Sequence, residues 1–164
     1  MRGDSNLMKS TTKKLIICLI IPLAVGGLSA LLTMGSMEQF EKLNQPPLSP
    51  PSWLFPVVWT ILFVLMGIAS YLVLTSGDNA SAVKSTLTFY GIQLVFNFFW
   101  TIIFFNLRLY LVAFVWLIIL WVLILTTLIG FFRISKPAGR LMLPYLIWVA
   151  FAGYLNIAIF FLNS

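Results

Sequence analysis

Five stretches of this chain carry no Asp, Glu, Lys, Arg or His: residues 15–37, 43–77, 85–107, 109–132 and 141–164, which are 23, 35, 23, 24 and 24 residues long. A helix rises about 1.5 Å per residue, so roughly 20 residues cross a hydrocarbon core about 30 Å thick. Each stretch is long enough to span. Lipid offers no partner to a bare backbone amide, so each must close its own hydrogen-bond ladder as a helix. A soluble alternative would bury five such helices in a core that 164 residues cannot wrap. The expected fold is therefore all-α, a polytopic membrane bundle of five transmembrane helices over about 15–34, 52–74, 84–105, 108–132 and 140–162. They form one domain, 15–164, after a polar, cytoplasmic N-terminal tail, 1–14. Within that tail, 1–7 reads as an added leader with Met8 as the natural start. The Lys13-Lys14 pair before an apolar run has some character of a secretion signal, but the run is longer than a signal core and reads as a retained helix.

The ten basic residues divide unevenly between the two sets of helix ends. Arg2, Lys9, Lys13, Lys14, Lys84, Arg133, Lys136 and Arg140 fall on one side, and Lys42 and Arg108 on the other. Basic residues stay on the cytoplasmic side, which predicts a cytoplasmic N-terminus in a cell membrane, most simply a bacterial one. The net charge of +6 is thus a membrane-edge feature, and nucleic acid is not an expected partner.

What the spans lack excludes several chemistries. No acidic residue lies inside any of them, which argues against ion-coupled pumping. The chain has no histidine, so His-ligated haem, His-based metal sites and Ser–His or Cys–His nucleophiles are absent. Cys18 is the single cysteine and reads as an apolar filler. No resident cofactor, metal or catalytic residue is expected, and an enzymatic role is not favoured.

Neutral polar and aromatic residues remain. In the third predicted helix Gln93 and Asn97 share a face with Trp100 and Phe104. An amide in lipid needs a partner, so this face points inward, either as interhelical glue or as a pair of ligand handles. The second predicted helix aligns Trp59, Phe63 and Met66, and the fifth aligns Tyr145, Trp148, Ala152 and Asn156. Trp59 and Trp148 sit at least a turn inside their helices, which suits an interfacial belt less well than Trp53 does. Two indoles, amides and a small residue describe a flat apolar cleft suited to planar hydrophobic ligands. Between the first two spans, Gln45-Pro-Pro-Leu-Ser-Pro-Pro51 places four prolines in seven residues and predicts a stiff extended strap across the outer mouth. Pro137 and Gly139 are expected to break the chain before the fifth helix.

Three motifs carry a family resemblance. Pro50-Pro-Ser-Trp-Leu-Phe-Pro-Val-Val-Trp-Thr60 with Phe63-Val-Leu-Met-Gly-Ile-Ala-Ser70, then Gln93-Leu-Val-Phe-Asn97 with Trp100, then Pro144-Tyr-Leu-Ile-Trp-Val-Ala-Phe-Ala152 with Tyr154-Leu-Asn156, resemble in order the second, third and fifth helices of the TspO/translocator protein family. The resemblance implies a five-helix bundle, commonly a homodimer, that binds porphyrins, haem and other planar hydrophobic ligands amid membrane lipids. It places Trp59, Asn97, Trp148 and Ala152 on the ligand cavity. With the residues read above, the expected ligand-binding set is Trp59, Phe63, Gln93, Asn97, Trp100, Tyr145, Trp148 and Ala152. The leading expectation is a tetrapyrrole binding protein or sensor. The alternatives are light-dependent porphyrin breakdown using cavity tryptophans, uncoupled transport of porphyrins or lipids, and a scaffold that dimerises through Gly26, Gly27 and Gly91. The chain departs from the family pattern at Gln39-Phe40 and Pro47-Leu48 of the first loop and at Trp116, where some members have an aspartate. No Lys or Arg follows Tyr154, which weakens any expectation of sterol binding.

Overall fold

The computed structural model describes residues 2–164 along the backbone and the side chains of 11–36 and 40–164. Five helices account for nearly all of it: α1 (Arg2–Glu41), α2 (Leu54–Leu74), α3 (Ala80–Thr101), α4 (Tyr110–Ile134) and α5 (Lys136–Leu162), with a π-helical turn, Ile102–Asn106, continuing α3. All five are long and apolar enough to cross a membrane, and the protein is an integral, multi-pass membrane protein.

The helix ends differ from the sequence expectation for local reasons. α1 is continuous from Arg2, where a tail over 1–14 was expected, although the side chains of 2–10 lie outside the described residues. It also runs through Pro22 and past Gly35, isolated breakers that a long helix tolerates. Its last turn ends at Glu41, just before the strap. α3 starts four residues before Lys84, at Ala80, because the Asn79 side chain accepts from the amides of Ser81 (2.9 Å) and Ala82 (3.3 Å) and caps the helix there. Pro137 and Gly139 do not break the chain. They lie in the first turns of α5, where a proline's missing N–H costs nothing, and Ser135 alone separates α4 from α5.

The helices form a closed ring in the order α1, α2, α5, α4, α3, with α3 and its π-helical turn returning to α1. Small residues set the close approaches. A Cβ on Gly67 of α2 would stand 2.9 Å from the backbone of Cys18 and Leu19, and one on Gly26 of α1 would meet the Phe63 ring. Gly26 therefore serves packing within the chain, whereas Cβ atoms on Gly27 and Gly91 would meet open space. The end of the bundle nearest Lys84, Arg133 and Arg140 is packed solid by Met66, Val73, Leu120, Ile124, Phe131 and Met142. The other end is crossed by the strap between α1 and α2.

Hydrogen bonds hold that strap against α5. Asn44 N donates to Asn163 Oδ1 (2.9 Å), and Asn163 Nδ2 donates back to Asn44 O (3.1 Å). Tyr154 Oη donates to Pro47 O (2.9 Å), and Gln45 Nε2 reaches back to Phe40 O at the end of α1 (2.9 Å). Leu48, at the tip, is 80% exposed and has a left-handed φ of 69°.

An aromatic cavity in one half of the bundle

Beneath the strap lies a cavity of about 300 Å³. Every element that borders it contributes its strap-side half: Gly26 to Phe40 from α1, Phe55 to Phe63 from α2, Asn97 to Phe105 from α3 and its π-helical turn, and Ala152 to Ile159 from α5. Five of the eight expected residues meet here: Trp59, Phe63, Asn97, Trp100 and Ala152. Trp59 sits centrally among the rings, 5.7 Å from Phe63, 6.2 Å from Trp100 and 6.1 Å from Tyr145. These spacings fall within the range of favourable aromatic pairs.

The other three expected residues do not border the cavity. Gln93 is fully buried, and its Oε1 accepts from Tyr145 Oη (2.8 Å) while its Nε2 lies 3.8 Å from Met66 Sδ. Tyr145 Oη in turn accepts from Asn97 Nδ2 (3.1 Å). This Gln93–Tyr145–Asn97 chain joins α3 to α5 as the floor under Trp59. Trp148 packs edge-on against Phe55 (6.1 Å) and beside Phe151 (5.6 Å), so it backs the wall rather than forming it. The resemblance implies both Trp148 and Ala152 on the lining; of the two, Ala152 borders the cavity, as does Asn156 one turn further on. The Trp148 Nε1 is buried without a hydrogen-bond partner.

Among the lining residues left out of the expected set are Asn156, Phe104, Phe40 and Phe55. Asn156 and Phe104 carried a signal, each lying four residues past a chosen residue on the same helical face. Phe40 and Phe55 flank the strap and meet at 6.2 Å, a contact between distant positions that periodicity does not reveal.

The cavity's polar groups are mostly engaged within the protein. Ser29 and Thr33 donate to carbonyls one turn back, and Thr101 donates to Asn97 O. Asn156 Oδ1 accepts from Trp100 Nε1 (3.3 Å), and its Nδ2 donates to Tyr110 O (2.7 Å). Among the described residues, no His, Cys, Asp or Glu borders the cavity, and no cluster of them can hold a metal ion. The chamber is thus an apolar slot with aromatic faces, built to take a ligand by shape and ring contact.

Fold and cavity together define a five-span membrane protein with a half-open, ligand-sized aromatic chamber. The chain belongs to the TspO/MBR family, whose family model matches residues 18–162. It is 41% identical over 150 residues to the tryptophan-rich protein TspO of Chlorobaculum tepidum, covering 91% of this chain and 95% of that protein. It is 36% identical over 126 residues to the tryptophan-rich sensory protein of Cereibacter sphaeroides, covering 77% of each. The translocator protein of Bos taurus is 33% identical over 139 residues, covering 84% of this chain and 82% of that one.

Proposed function

We propose that this protein is a membrane receptor for tetrapyrroles, porphyrin or haem, that serves as a sensor of their level. The observation that carries the reading is the contacting pair Trp59 and Trp100 on the wall of an apolar cavity of about 300 Å³, a size at the lower end of small-molecule sites. Burial of ring surface supplies the affinity at about 25 cal/mol per Å², less the cost of association. The sensory name of the Cereibacter sphaeroides relative supports a signalling use. The excess of basic residues at the Lys84 and Arg133 end supports a cytoplasmic placement of that end in a bacterial cell membrane, with the strap outside. The outward-facing Gly27 and Gly91 support a homodimer face.

Titration of protoporphyrin IX with tryptophan fluorescence as readout tests this function. Each lost aromatic contact is worth about 1 kcal/mol, so Trp59→Phe with Trp100→Phe should weaken binding about tenfold or more. Trp148→Phe should change it little. Unchanged affinity in the double variant rejects the site. Because no His, Cys, Asp or Glu among the described residues borders the cavity, metal-free and zinc protoporphyrin should bind within about threefold of one another, less than about 1 kcal/mol apart.

A further inference from the structure

Beside the main cavity lies a second hollow of about 50 Å³, bordered by Ser36, Arg108 and Tyr110. Phe40, Phe104 and Phe105 border both hollows. Arg108 occupies the tight connection after the π-helical turn, with a left-handed φ of 55° that side-chain-bearing residues rarely adopt. Its guanidinium makes no hydrogen bond or ion pair among the described residues. The Ser36 hydroxyl is already spent on Asn106 Oδ1 (2.8 Å). An arginine is always charged and presents a planar fork of donors matched to a carboxylate or phosphate. Here it stands exposed beside a hollow that shares three rings with the main chamber, whose hydroxyl and amide donors are engaged within the protein.

We propose that the small hollow is an anion subsite of the main chamber: Arg108 binds the acidic substituent of an amphiphilic ligand whose apolar body lies against Trp59 and Trp100. The inference rests on the ligand reading of the main cavity and narrows it to apolar molecules that carry a carboxylate or phosphate. The rings of Phe40, Phe104 and Phe105 would part around the neck of such a molecule. Neutral molecules of the same shape would fill the chamber but leave Arg108 unused.

The test pairs protoporphyrin IX with its dimethyl ester, which keeps the ring and removes both charges, on wild type, Arg108→Gln and Arg108→Lys. Wild type should bind the free acid at least tenfold more tightly than the ester. Arg108→Gln should bring the acid down to the level of the ester and leave the ester unchanged, and Arg108→Lys should restore part of the preference. Equal wild-type binding of acid and ester overturns the subsite and leaves the chamber intact as a binding site. A preference that survives in Arg108→Gln, or equal weakening of both ligands, also overturns it. Failure of both ligands to bind wild type instead rejects the chamber itself.

Discussion

Tyr145 shows how one hydroxyl can organise a membrane interior. Its Oη donates to Gln93 and accepts from Asn97, so three groups are satisfied by a single atom at the base of the cavity. Tyr145→Phe leaves the Gln93 carbonyl oxygen and the Asn97 amide without that partner in apolar surroundings. The cost should be about 1–3 kcal/mol from unsatisfied groups, tempered because polar groups in a membrane often find other partners. Thermal unfolding in detergent should show the loss as a lowered midpoint of a few degrees. Glycines give an opposite pair. Gly67→Ala forces a methyl against the Cys18–Leu19 backbone, which cannot swing aside, and should destabilise by about 1–3 kcal/mol. Gly27→Ala meets nothing and should stabilise a monomer by up to about 1 kcal/mol through helix propensity. If Gly27 faces a second protomer, the same substitution should instead weaken a dimer seen by crosslinking.

At the scale of elements, the strap and α5 act as one unit. The reciprocal Asn44–Asn163 bonds and the Tyr154–Pro47 bond tie a proline-stiffened segment to a rigid helix end. Asn163→Ala with Tyr154→Phe removes these side-chain ties while leaving the cavity lining untouched. Hydrogen exchange should then quicken over residues 42–49, and bound porphyrin should dissociate several-fold faster with little change in unfolding temperature. A second expectation concerns helix starts. Asn79→Ala removes the side-chain cap of α3 and should cost about 1 kcal/mol, read as a lowered unfolding midpoint.

For the whole molecule, sidedness is the first thing to measure. A membrane-impermeant thiol reagent applied to intact cells should label Leu48→Cys, at the exposed strap tip, and not Lys84→Cys, both in a Cys18→Ser background. The five-span architecture was legible because charge is expelled from 15–37, 43–77, 85–107, 109–132 and 141–164, a pattern that lipid alone enforces. The faces of Trp59 with Phe63 and of Asn97 with Trp100 were legible from helical periodicity. The division of labour within those faces was not. Tyr145 and Trp148 are three residues apart on α5, yet one lies in the floor and the other behind the wall, and only the rotation of α5 against α2 decides which. Arg108 was read only as a topological marker, because the left-handed turn that sets it beside Phe104 and Phe105 is a property of the junction and not of either helix.

The densely filled half below Gln93 has a further consequence. With Met66, Ala69, Val73, Leu120, Ile124 and Phe131 sealed against one another, the molecule is a cup and not a pipe. Cargo admitted from the strap side must depart through that same leaflet unless whole helices separate. A liposome experiment should therefore show porphyrin retained on the side of loading, with no quickened passage to the opposite compartment.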